Sequence, residues 1–196
     1  MTLLRILCLG AALSVCTAHA DDYADVNALA RAGKLAEALT KTDQYLSSKP
    51  RDPRMRFIKG VIQTDAGKPA DAISTFTQIT QDYPELPEPY NNLAVLYAGQ
   101  SQFDKARAAL EMAIRTNPSY AIAHENLGDV YAKLASEAYS KALQLDAGNT
   151  SAQAKLALVR ALFAPQAKGQ TPQTNPPAAS AAAAAPAVKT PAAKAN

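Results

Sequence analysis

Apolar residues in the middle of the chain recur at three- and four-residue intervals, in short runs separated by glycine, proline and polar clusters. Between Pro87 and Tyr120, Leu93, Leu96 and Tyr97 form one stripe and Phe103 and Leu110 a second, with Gly99, Gln100 and Ser101 between them. That spacing places the apolar side chains on one face of each of two short helices. Pro118 lacks an N–H and forces its predecessor out of the helical region, so the second helix is expected to stop near Thr116. The layout returns at a fixed period: Val26, Gly60, Ala94 and Gly128 form one column, Ala38, Ala72 and Ala106 a second, and Pro50, Pro84 and Pro118 a third. Small residues such as Ala94 and Ala106 suit a close crossing of the two helices, where a larger side chain would push the backbones apart. One helix pair cannot bury both its faces, so such units must stack.

Tyr90-x-x-Leu93-Ala94-x-x-Tyr97, followed by Ala106-x-x-x-Leu110 and Pro118, resembles the tetratricopeptide repeat. The resemblance covers about residues 21 to 149. It implies an all-α fold, a right-handed superhelical solenoid of antiparallel helix pairs with about three and a half units.

Residues 21–52 read as a degenerate, capping first unit, with Tyr23, Val26 and Leu29 on one face and Gly33-Lys34 at the turn. Residues 53–86 form the second unit. Here Lys59 and Gln63 stand where Leu93 and Tyr97 stand in the third unit, 87–120, so the helix that carries them is expected to pack more loosely. In the fourth unit, 121–148, Leu127-Gly128-x-x-Tyr131 keeps the register but the ending arrives early. Leu127, Tyr131, Leu134, Ala138 and Ala142 allow one long helix from about Ala121 to Asp146, and a tight turn near Ala135-Ser136 with a stunted second helix is the alternative. Asn149-Thr150-Ser151 can cap a last helix within 149–163, stopped by Pro165.

Residues 1–20, with Arg5, an apolar run from Ile6 to Val15 and Ala18-His19-Ala20, read as a secretory signal peptide cleaved after Ala20. The run is too short for a transmembrane helix. The rival reading is a lipoprotein anchored through Cys16, but Val15 stands where a small residue is expected. Both cysteines, Cys8 and Cys16, precede the expected cleavage point, so no disulfide is expected afterwards. The compartment this implies is periplasmic or secreted. Residues 164–196 are rich in alanine and proline with three lysines, cannot bury a core and are expected to be disordered. They read as a solubilising tail, or as a linker with weak attraction for acidic envelope polymers.

The net charge of +3 is too small to argue for nucleic acid, and Arg5, Lys168, Lys189 and Lys194 account for four of the positive charges. Lys49, Arg51, Arg54, Arg56 and Lys59 form one basic cluster, read as a solvated rim with an anion site as the alternative. Catalytic, metal and cofactor sites are not expected. His124-Glu125 lacks the second histidine of a zinc-peptidase helix, no phosphate-binding glycine loop occurs, and His124 falls in the column of Tyr90, where a helix-packing role is expected.

The resemblance implies a concave groove lined by the first helix of each unit. In this chain the lining residues are Tyr23 and Asn27, Phe57 and Val61, Asn91, Asn92 and Val95, then Glu125, Asn126 and Asp129. Asparagine amides there can both donate to and accept from an extended backbone, and Asn92 and Asn126 are expected to do so while contributing little to the fold. Phe57, Val61, Ile122 and Asn126 replace residues that the family's carboxylate clamp would need, which argues against recognition of chaperone tails. The expectation is a non-catalytic scaffold or adaptor of the bacterial envelope that binds a protein or peptide segment. A self-associating structural protein and an enzyme of unrecognised type are the alternatives.

Overall fold

The computed structural model describes residues 18–164; most of the expected signal peptide and nearly all of the expected tail lie outside the described residues. Eight helices and no strand are present among those residues: α1 (Ala18–Arg31), α2 (Leu35–Ser48), α3 (Pro53–Asp65), α4 (Pro69–Asp82), α5 (Pro87–Gly99), α6 (Phe103–Thr116), α7 (Ala121–Leu145) and α8 (Thr150–Ala161). Helices pack chiefly on their neighbours in the chain, with lesser contacts between α1 and α3 and between α5 and α7. This is a solenoid.

Proline opens α3, α4 and α5, where its missing N–H has no partner to lose. The turn inside each of the first three units is the same. Gly33, Gly67 and Ser101, each one repeat period after the last, have φ of 74°, 67° and 57°. Behind each, the next residue's N–H reaches five residues back, from Lys34 to Leu29, Lys68 to Gln63 and Gln102 to Tyr97. That left-handed cap closes the helix and returns the chain antiparallel. The fourth position in the column is Ala135, for which the left-handed conformation costs about 1–2 kcal/mol. The helix does not break there, and α7 runs on for 25 residues.

The core forms three successive clusters, each drawn from three consecutive helices. Val26, Ala38, Tyr45, Met55, Ile58 and Ile62 form the first, Phe57, Ala72, Phe76, Ile79, Leu93 and Leu96 the second, and Ala94, Ala106, Leu110, Ala113, Ala123 and Val130 the third. Matched positions on the two helices of a unit trade size. Gly60 takes the Phe76 ring directly over its backbone, Ala94 shares a cluster with Leu110, and Val26 is matched in register by the smaller Thr42. At Gly128 an added Cβ would meet nothing within 4 Å, because no second helix crosses α7 there.

Two expectations about packing are corrected. Helix α3 is not loose: Met55, Ile58 and Ile62 are buried, and its polar positions are satisfied, Gln63 accepting from the Thr75 hydroxyl (2.7 Å) and Lys59 pairing with Asp43 (2.6 Å). Helix α8 is capped as expected, Asn149 Oδ1 accepting from the Ala152 N–H (2.9 Å), but it ends at Ala161, ahead of Pro165. Its inner face buries Ala152 and Leu156, while Leu158 and Leu162 are each 71% exposed, so its outer face is not the polar one a terminal cap usually presents.

Candidate functional site

Where the third unit meets α7, the chain leaves a groove. A pocket of about 400 Å³ opens between α5 and α7, floored by Ala94, Ala98, Phe103, Leu110 and Val130 and edged by Val95, Ser101, Asn126, Asp129, Lys133 and Phe163. Val95 points its apolar side chain outward at 51% exposure, although neighbouring Ala94 and Leu96 are buried. Asp129 is exposed, and Lys133 is set 3.8 Å from the centre of the Phe163 ring, a cation–π contact that ties the end of α8 to α7. The groove is therefore apolar at its base and charged at its rim.

Of the residues expected to line a groove, Val95, Asn126 and Asp129 meet in this pocket. Asn91 joins them through a hydrogen bond: it is 7% exposed, and its Oδ1 accepts from Asn126 Nδ2 at 2.8 Å, linking α5 to α7. Asn92 Nδ2 donates to the Glu88 carbonyl of its own helix (2.9 Å). The two amides expected to be free for a partner each spend a donor on the protein, and Asn126 does take part in holding the helices together. Glu125 is exposed one turn before Asp129 on α7. Glu88 lies near the start of α7: burial, and then the Glu88 carboxylate, push the Tyr120 phenol up from its ordinary pKa.

The other four residues lie elsewhere. Phe57 is buried edge-on to Phe76, ring centres 5.5 Å apart, and Val61 is half-buried against the same cluster, so both serve the core. Tyr23 and Asn27 are half-buried on α1. The Tyr23 hydroxyl donates to Asp52 Oδ2 (2.5 Å) and sits 2.9 Å from the Tyr45 hydroxyl, while Asp52 also caps α3 by accepting from the Met55 N–H (2.8 Å). Burial first, and the hydrogen bond to Asp52 second, raise the Tyr23 phenol well above its ordinary range. This cluster fastens the first unit to the second.

The basic cluster is not an open anion site, because most of its cations are engaged, while Arg51 and Arg54 stay exposed as a solvated rim would have them. Arg56 is buried and pairs with Asp82 (2.5 Å), Lys59 pairs with Asp43, Arg54 lies 4.5 Å from the Tyr23 ring centre and Lys49 4.7 Å from that of Tyr45. His124 is exposed rather than packed, and its Nε2 donates to the Pro118 carbonyl (3.0 Å). No group of three or more histidines, cysteines or acids with metal-binding geometry, and no helix long and apolar enough to cross a membrane, occurs among the described residues.

Phe163 and Lys133 were missed in the sequence. Lys133 falls one repeat period after Gly99 and could have been found by continuing the lining register. Phe163 lies past the repeats, where no register reaches.

Two family models, both described as tetratricopeptide repeat, match residues 23–87 and 63–130 and together span more than half of the chain. A curated relative, the chloroplastic tetratricopeptide repeat domain-containing protein PYG7 of Arabidopsis thaliana, is 38% identical over 73 residues, which are 35% of this chain and 24% of that protein. The chain thus spans about a quarter of that relative's length. Among solved structures, TTC0263 of Thermus thermophilus, a thermophilic repeat protein of this kind, superposes with a TM-score of 0.54 at 22% identity, over 74% of this chain and 82% of its own. The first such domain of Spaghetti (RPAP3), bound to the HSP90 peptide SRMEEVD, superposes with a TM-score of 0.55 at 16% identity, over 59% of this chain and 92% of its own. Both likenesses concern the fold alone. The recurring left-handed turn, the traded pair of crossing residues and the two matching family models lead to one conclusion: this chain belongs to the tetratricopeptide repeat family.

Proposed function

We propose that the chain is a non-catalytic adaptor of the bacterial cell envelope, holding an extended segment of another protein in the groove between α5 and α7. The observation that carries this reading is the groove itself, an apolar floor open to solvent beside the outward-facing Val95. Exposed apolar surface in a concave site, edged by a few polar groups, is what peptide recognition uses. Asn92 and Asn126 each spend a donor on the protein and keep an amide oxygen to accept from a partner's N–H. The solved repeat domain with a bound peptide supports the class of partner. Export to the periplasm rests on the character of residues 1–20, and the lysines of 164–196 suit a weak attraction to acidic envelope polymers.

The test is a crosslinking pull-down from intact envelopes with wild type, Val95→Arg/Asp129→Ala, and Ala108→Arg as an exposed control outside the pocket. Val95 and Asp129 are exposed, so the double variant should melt within a degree or two of wild type while losing the protein that wild type and control retain. Equal retention by all three would move the binding site out of the groove. Self-association is the second reading, favoured by exposed Leu158 on α8 and Leu162 just after it; light scattering at two concentrations separates it from a monomeric adaptor.

A further inference from the structure

The charge of this chain is divided unevenly. All seventeen acidic residues lie between Asp21 and Asp146, whereas residues 165–196 carry Lys168, Lys189 and Lys194 and no acid. Asp129 stands exposed at the groove's rim and Glu125 is exposed one turn before it on α7, outside the pocket lining, and neither forms an ion pair among the described residues. Lys133, the cation of the rim, is held over Phe163. Along this face of α7, Glu125 and Asp129 together outnumber the rim's cation Lys133, beside an apolar floor.

The chain leaves the described structure at this same place. Phe163 is part of the pocket wall, and the next residues are the start of the basic stretch. Lys168 is five residues beyond Phe163, within about 17 Å of extended chain, so it can reach the acidic rim. Pro165, Pro172, Pro176 and Pro177 fix φ and lower the entropy an extended segment loses on docking. Small alanine side chains suit a shallow floor edged by Val95.

We propose that residues 165–196 dock back into the groove between α5 and α7 of the same molecule, lysines against Glu125 and Asp129, and so compete with the external partner. It rests on the groove reading above. A short tether gives an effective concentration on the order of 1 mM. A segment with an intrinsic Kd of about 0.1 mM would then fill the groove most of the time and weaken an external ligand about 10-fold.

The experiment uses the full chain. A fluorescent synthetic peptide with the sequence of residues 165–196 is titrated against wild type and against Lys168→Glu/Lys189→Glu/Lys194→Glu, and a photo-crosslinking residue in place of Val95 reports what occupies the groove. The peptide should bind the triple variant about 10-fold more tightly than wild type, and adding Glu125→Lys/Asp129→Lys to the triple variant should abolish that binding. Crosslinks from position 95 should join it to residues 165–196 of the same molecule, independent of dilution and lost in the triple variant. Equal peptide affinity for wild type and triple variant, or no binding to either, overturns the proposal, as do crosslinks found only between differently labelled copies. If these fail while envelope retention still depends on Val95 and Asp129, the docking of the tail is wrong and the groove reading stands. Retention indifferent to those two residues removes the groove reading itself.

Discussion

At Gly60 an added Cβ would come within 2.7 Å of the Phe76 ring, closer than packed carbons approach. The third unit handles the same crossing with Ala94 and Leu110, one carbon more on one helix and a smaller side chain on the other. Gly60→Ala should therefore destabilise by about 1–3 kcal/mol through overpacking, and Phe76→Leu by on the order of 1–2 kcal/mol through the space it leaves. Together they recreate the third unit's solution, so the double variant should lose clearly less than the sum, with a coupling of about 0.5–3 kcal/mol in urea unfolding. Strictly additive losses would show that the two positions do not share a contact. Small residues at 60, 94, 38, 72 and 106 were legible as crossing points, since only close approach explains them in that register. What faces each was not, because the space is shared by a pair and neither position alone fixes how it is divided. Asn91 and Asn126 illustrate the same limit: both amides could be placed near the groove, but the bond between them depends on how α5 and α7 lean together.

Among the elements, the turns decide how many helices the chain makes. Gly33 and Gly67 meet the left-handed conformation without strain, and Ser101 adopts it with a side chain. Ser101→Gly should raise stability by about 1 kcal/mol, and Gly67→Ala should lower it by about 1–2 kcal/mol, both read as shifts in the urea midpoint. A loss on Ser101→Gly would mean that the serine hydroxyl, not the backbone, matters at that turn. Most of the helix boundaries follow from glycine, proline and capping residues that a reader of the sequence can see. The fate of residues 121 to 146 stayed open because alanine at position 135 is a good helix former and a poor left-handed one, and the early ending of the unit fits either a long helix or a stunted pair. The structure resolves this as one helix. For α8 the apolar spacing foretold a helix but not its orientation, which puts Leu158 and Leu162 outward and brings Phe163 to the groove.

Across the whole molecule, contacts join near neighbours, so a disturbance should fade along the stack. Ala38 is fully buried in the first cluster, made by α1, α2 and α3. Ala38→Leu should accelerate amide hydrogen exchange through those three helices and leave α5 and α6 near their wild-type rates. Equal acceleration in all eight helices would mean that the stack opens as a single cooperative body. The division of charge belongs to this scale as well, for no unit shows it alone.

The unbroken α7 has a consequence for how such a molecule can lengthen. A duplicated unit inserted ahead of Pro53, Pro87 or Ala121 would find the second helix of one unit behind it and the first helix of the next in front, the surroundings every interior copy already has. Beyond Leu145 the surroundings differ: α7 spends the residues of a turn and a returning helix on continuing straight, to a length of about 37 Å, and α8 packs on it in place of a regular unit. New copies are expected to be gained most readily in the interior, where both flanking surfaces already match, so the one position in the column that does not bend, Ala135, bears on where the array lengthens.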